Sequence, residues 1–359
     1  MAQREEKTPG IREIAAALGI SLATVDRALH NRRGVNEKTR RLVLETARSL
    51  KYQPNLAARN LKLQRRLHIA VLTPSEASFF FDQVRQGIRF GVADLQGVSV
   101  DLSCHEFRSG SGDTTDFLGT RLEESIDALI LTPGSKIAFA PLLRRMAVLR
   151  KLVVFVASAI RNGSHLASVT VDSEVSGGIV AELFARIFRT TATAVMMTGD
   201  LAVEDHTEKL RGFAANLAIL APHIRLLPTI ETHDVPEEAF AATMQLVENG
   251  NCPDAIYVST FNSLPVLQAL ERTGKLGSVQ IVTTDLYPEL VPYLHRGIVL
   301  ASLHQRPYTQ GRMAFSMVAR HLLSSGQPIC PVRLAPHIVL RSSLSLFTNA
   351  ANELDEELT

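Results

Sequence analysis

Two kinds of residue cluster in this chain could do chemistry, and they sit in different parts of it. The first is cationic: residues 1–66 carry 15 Lys and Arg against 6 Asp and Glu, while the remainder carries 23 against 30. A basic head on an acidic body is suited to a polyanion at the head and to its exclusion from the body. A solvated basic tail would have the same charge, but this segment also has strong helical periodicity. The second kind is polar and aromatic. GDLAVEDHTEKLRGF follows an apolar run and offers Asp205, His206 and Lys209, which could hydrogen-bond hydroxyls, with a solvated helix start as the rival reading. SEASFFFDQVRQG places Phe79, Phe80 and Phe81 after another apolar run, an unusual composition for a solvent loop. One of the three is expected in the core.

Other chemistries fare poorly. His105 with Glu106, and the scattered His295, His304 and His321, lack metal-ligand spacing, and SGSGDTTD lacks the lysine of a phosphate-binding loop. No G-x-S-x-G motif occurs. Neither a catalytic residue, a cofactor nor a metal is therefore expected. Cys104, Cys252 and Cys330 are widely spaced and odd in number, and they are expected to be reduced, mostly buried thiols. The charged start MAQREEK and the absence of a long apolar run argue against a signal peptide or membrane span, so a cytoplasmic protein is expected.

These residues need elements to hold them. Ile11, Ile14, Ala15 and Leu18 mark one helical face and Gly19 stops it. Ser21 can cap a second helix with Val25, Ala28 and Leu29 inward, and Asn36 a third with Leu42, Val43, Leu44, Ala47 and Leu50 as candidate buried positions. Ala15, Gly19 and Val25 have the spacing of a helix-turn-helix, which puts its second helix in the major groove while Lys and Arg bind phosphates. NLAARNLKLQRR is helix-compatible but too short to be stable alone, so it reads as a linker that folds on binding. Beyond it LHIAVLT, DALILTP, KLVVFVAS, SVTVD, ATAVMMTG, DAIYVST, VQIVTTD and VLASL alternate with helix-length segments. Near-continuous Val, Ile and Leu strands between helices mean parallel sheets covered on both faces, with ligands bound past the strand ends. At 359 residues two or three domains are expected.

The segment IREIAAALGISLATVDRALHNRRGVNEKTRRLVLETARSLKYQPNLAARNLKLQRR resembles the helix-turn-helix and hinge helix of the lactose-repressor (LacI/GalR) family of bacterial transcription regulators, and the likeness extends over nearly the whole chain. The resemblance implies an all-α helix-turn-helix head (8–55), a hinge helix or linker (56–66), and an α/β periplasmic-binding-protein-like body of two parallel-sheet subdomains (67–347), followed by a tail (348–359). Subdomain one would span about 67–172 plus 302–330 and subdomain two about 173–301 plus 331–347. It also implies a homodimer on near-palindromic, double-stranded operator DNA, expected to repress, with affinity set by a small effector such as a sugar or related polar metabolite. The alternative on the same fold is a carbohydrate-active enzyme or a sugar-binding protein.

Residue by residue, the family's base-reading positions fall on Leu22, Ala23 and Arg27. Arg27 could donate two hydrogen bonds to guanine, and Leu22 or Ala23 could meet thymine methyl groups. Asp26 stands where the family has serine, and a carboxylate there would repel phosphate unless Arg27, Arg12 or a cytosine amine engaged it. Ser21, Thr24, Asn31, Thr39 and Tyr52 can donate to phosphates. Leu61 matches the hinge leucine that wedges into the minor groove, with Ala57 and Ala58 letting two hinge helices approach and Arg59 and Lys62 beside the groove. In the body, aromatic residues at a strand end would form the stacking wall of the ligand site, assigned to Phe80 and Phe81. Asp285 and Gln305 match polar ligand positions. Asn262 and Ser158 are weaker matches, since the usual Asn-Asp and Asp-Arg pairs are missing there.

Overall fold

The computed structural model describes residues 10–29, 32–50, 66–108, 118–134, 136–160, 167–324 and 328–348. They fall into two compact units, a helical head and an α/β body.

Among the described residues the head has three helices, Ile11–Leu18, Leu22–Leu29 and Glu37–Ser49. Gly19 ends the first at φ 62°, a conformation that costs glycine little. Thr24 N–H donates to Ser21 Oγ at 3.2 Å, and Thr39 N–H to Asn36 Oδ1 at 2.7 Å, so both expected caps form. Ile14, Ala15, Val25, Ala28, Val43 and Ala47 make the core, with Leu29 and Leu50 packed at its edge. Leu42 and Leu44, expected inside, are exposed. Each adjoins Val43 in sequence, and a neighbouring helical position points about 100° away from the stripe that Val43 and Ala47 share.

Among the described residues the body contains thirteen strands in two sheets. The first joins β1 (Arg66–Pro74), β2 (Ser99–Phe107), β3 (Ala128–Leu131), β4 (Leu152–Val156), β5 (Ala167–Val171) and β12 (Val332–Leu334) in the order β12-β5-β4-β3-β1-β2. The second joins β6 (Ala192–Thr198), β7 (Ile224–Leu226), β9 (Ala255–Val258), β10 (Gln280–Thr284), β11 (Val299–His304) and β13 (His337–Val339) in the order β13-β11-β10-β9-β6-β7, with β8 (Ile230–Glu231) also on β6. The assigned pairs are parallel except β11 with β13. In the second sheet successive residues serve opposite cores: Val195, Met197, Ile256 and Val258 on one side, Ala194, Met196, Ala255 and Tyr257 on the other. This is why the strands read as unbroken apolar runs.

Strand pairing moves two expected boundaries. β11 pairs with β10 and β13 and so extends the second half to His304, not residue 301, while β12 pairs with β5 and keeps the first half until Leu334 instead of 330. A strand belongs where its hydrogen-bond partners lie. The chain thus passes between halves at Asp172, at Gln305–Arg306 and at Ala335–Pro336. Each half closes on a matched helix pair. In the first, Ser78–Asp94 crosses Pro307–Leu323 so closely that a Cβ at Gly87 would fall on the Tyr308 carbonyl and one at Gly311 on the Val84 carbonyl. In the second, Ser173–Ile187 crosses Glu204–Leu220, with Gly177 against the Lys209 carbonyl and Gly212 against that of Glu174.

The cysteines correct another expectation: all are free, but Cys104 and Cys330 are exposed and Cys252 is half-buried. Cys104 lies on edge strand β2, whose residues alternate between the sheet face and solvent. No helix among the described residues is long and apolar enough to cross a membrane.

Candidate functional site

In the head, the helix Leu22–Leu29 buries Val25 and Ala28 and leaves Leu22, Ala23 and Arg27 exposed, Leu22 at 48%. Among the described residues of the head, Leu22 is no part of the core. Ser21 is exposed and Thr24 half-buried, and their hydroxyls lie 2.9 Å apart at the start of this helix. Thr39 is half-buried. Asp26 has a partner that sequence reasoning missed: Arg32 pairs with it at 3.2 Å. The carboxylate is thereby partly neutralised by a residue that follows the helix. Asn31, Tyr52, Ala57, Ala58, Arg59, Leu61 and Lys62 lie outside the described residues.

In the body, the loops past the strand ends of both sheets enclose a cleft of about 840 Å³. Phe80, Phe81, Ser158, Asp205, His206, Lys209, Asp285 and Gln305 line it. Asn262 does not: it is buried at the start of the helix Ser263–Arg272, and its neighbours Phe261 and Thr260 face the cleft instead. Phe79 turns away to pack, tilted, on Tyr287 at 4.8 Å between ring centroids, leaving the next two rings for the cleft.

The polar floor is a buried chain. Lys209 Nζ donates to Asp205 Oδ2 at 2.6 Å, to the Ser259 carbonyl at 3.3 Å and to Gln305 Oε1 at 3.5 Å. Gln305 Nε2 donates to both carboxylate oxygens of Asp285, at 3.0 and 2.9 Å, and Ser173 Oγ donates to Asp205. Burial alone would push Asp205 up, but Lys209 and His206 pull it further down, to below the usual carboxylate range. Burial would lower Lys209, and Asp205 outweighs it, leaving the ammonium firmly charged. Asp285 has no such pairing. Burial pushes it up to about 6 despite the hydrogen bonds from Gln305.

Three further residues shape the site. Gln310, fully buried, accepts from Ala157 N–H at 3.1 Å and donates to the Gln305 carbonyl at 2.6 Å, fixing the crossover that aims Gln305. Asp234 faces His206 at 3.5 Å over Gly199, where a Cβ would sit 2.6 Å from both side chains. Of the described non-glycine residues at positive φ, Ala77, Ala157, His233, Asp234 and Asp285 line the cleft, and Arg306 follows Gln305. Backbone conformations of this cost collect where ligands bind. Sequence reasoning missed Asp234 and Phe261. Phe261 could have been found by its place just past the strand DAIYVST, whereas Asp234 depends on a turn with no apolar signature.

Asp285 and its near neighbour His304 give a pH prediction. Burial lowers His304 to about 4, so the unfolded chain takes up a proton that the folded protein refuses as pH falls from about 6.5 through 4. That contribution is lost on acidification. Asp285 works oppositely: its raised value makes the folded protein hold a proton the unfolded chain has released, a contribution lost as pH rises from about 4 through 6. Each spans roughly 3 kcal/mol at about 1.4 kcal/mol per pH unit. His304→Asn should therefore expose a fall in stability from pH 4 to 6, and Asp285→Asn a rise, in urea melts. Variant curves parallel to wild type would contradict this.

Against known proteins, residues 10–55 match the bacterial regulatory proteins of the lacI family, and residues 69–327 match the periplasmic binding protein domain. Catabolite control protein A of Priestia megaterium is 24% identical over 341 residues, 93% of this chain and 98% of its own. The HTH-type transcriptional repressor PurR of Edwardsiella ictaluri is 22% identical over 338 residues, 93% and 96% of the two chains. Among solved structures, an ABC transporter solute binding protein from Agrobacterium vitis with bound D-fucose superposes with a TM-score of 0.70 at 15% identity, over 80% of this chain and 98% of its own. Head, body and full-length relatives agree: the chain belongs to the LacI family of DNA-binding transcriptional regulators, with a helix-turn-helix head joined to a periplasmic-binding-protein domain.

Proposed function

We propose that this regulator acts as a homodimeric, cytoplasmic repressor on a near-palindromic operator, and that a small polyhydroxylated effector in the body cleft sets its DNA affinity. It is read as a binding protein without catalysis of its own. The observation that carries the DNA half is the exposed trio Leu22, Ala23 and Arg27 on a helix whose opposite side is the head core. Arg27 and Leu22 read base edges, while Ser21, Thr24 and Thr39 meet phosphates. Asn31, Tyr52, Ala58, Leu61 and Lys62 keep the roles the family pattern gives them. For the effector half, the cleft pairs two phenylalanine rings with the Asp285–Gln305–Lys209–Asp205 chain, a combination of apolar wall and converging polar groups that suits a sugar. The solute binding protein with D-fucose supports this choice.

Effector binding must favour one arrangement of the two halves for operator affinity to change. The experiment is a fluorescence anisotropy titration against the promoters of the neighbouring genes at moderate salt. Arg27→Ala should weaken the specific site by about 1–3 kcal/mol, roughly five- to 150-fold, with a far smaller effect on bulk DNA. Leu61→Ala should likewise spare nonspecific binding. No preference over bulk DNA for any promoter would sink the proposal.

A further inference from the structure

The polar floor of the cleft is short of hydrogen-bond donors. An ammonium has three N–H groups, and Lys209 has three acceptors within reach in Asp205, the Ser259 carbonyl and Gln305. The Gln305 amide nitrogen is spent on Asp285. At the other side, His206 Nε2 faces Asp234 at 3.5 Å. His206 Nδ1 and the acceptor Asp234 Oδ1 are both buried without a partner. Charge points the same way. Glu76, Asp205, Asp234, Glu237 and Asp285 line the cleft against Lys209 and Arg108. Arg108 is engaged within the protein, and His233 is held by Glu238 at 2.8 Å.

From this we infer that the cleft takes a polyol carrying neither phosphate nor carboxylate, and accepts an amine where the neutral ligand has a hydroxyl. Hydroxyl and ammonium groups donate, which the floor needs; a phosphate or carboxylate only accepts, and would meet carboxylates where the Lys209 ammonium is already engaged. The rings of Phe80, Phe81 and Phe261 beside the floor also tolerate a cation, as aromatic faces do. The inference rests on the reading of the cleft as a polyol site.

The test is calorimetric titration and thermal shift of the full-length protein with glucose, galactose and mannose, each as the neutral sugar, the 2-amino sugar, the 6-phosphate and the uronic acid. For whichever skeleton binds, the amino form should bind within about tenfold of the neutral parent or more tightly, and the two anionic forms at least about a hundredfold more weakly. Asp285→Asn should narrow the gap to the anionic forms. A phosphate or uronate that binds as tightly as its parent overturns the inference and leaves the polyol reading standing. Absence of any shift with every compound overturns the polyol reading and the inference with it.

Discussion

Lys209→Met is expected to destabilise the body by about 3–5 kcal/mol, the usual cost of removing one partner from a buried ion pair. For a domain of this size that is a fall in melting temperature on the order of 10 °C. The reason is local. The Lys209 side chain is 3% exposed, and the Asp205 beside it is 15% exposed. Without the ammonium, Asp205 keeps only the Ser173 hydroxyl as a nearby donor from this chain of contacts, and Asp285 loses the one cation that opposes its own burial. Lys209→Arg is a poor substitute, because a planar fork cannot reach the three divergent acceptors that a point charge satisfies. Adding Asp205→Asn to Lys209→Met should recover much of the loss, since the remaining polar group is neutral. Thermal melts of the two single variants and the double decide it. A single Met variant as stable as wild type, or a double no better than the single, would show that the pair is not the source of the stability.

The second large effect concerns helix crossings. Alanine normally improves a helix over glycine by about 1 kcal/mol. At Gly212 and Gly311 the sign should reverse, to a loss of about 2–4 kcal/mol, because the new Cβ would occupy the space of a facing backbone carbonyl, that of Glu174 or Val84. A carbonyl cannot rotate aside as a side chain can, so the helices themselves must part. Urea unfolding of Gly212→Ala and Gly311→Ala measures this directly, and unchanged or increased stability would mean the helices have room that the close approach denies.

How much of this was legible in the sequence follows from how local each signal is. The head was readable almost entirely: the Ile11–Leu18 stripe, Gly19 and the Asn36 cap each act within a few residues of chain. The eight apolar runs became β1, β3, β4, β5, β6, β9, β10 and β11, because strands buried on both faces must be apolar throughout. The strand β2 went unread because an edge position admits exposed polar residues such as Asp101 and Glu106, which interrupt its apolar pattern. The short strands β12 and β13 exist only by virtue of partners far away in sequence, β5 and β11, and their absence from the reading is what misplaced the subdomain boundaries. The site divides the same way. Asp205, Lys209, Asp285 and Gln305 follow strand ends or open helices, where position alone advertises them. Gln310 and Asp234 do not: one acts through a crossover to Ala157, the other through a turn with two consecutive residues at positive φ.

The three passages between the halves of the body, at Asp172, Gln305–Arg306 and Ala335–Pro336, hold one, two and two residues. Links this short act as rivets: they forbid sliding and separation, and leave bending about a single line as the one inexpensive motion. A ligand in such a mouth has one mechanical variable to set, the opening angle. Gln305 lies in one of these links and also hydrogen-bonds Lys209 and Asp285 in the cleft floor. On the effector reading proposed above, the residue that senses occupancy would be part of the axle, and chemistry at the floor would become rotation without a relay through either core.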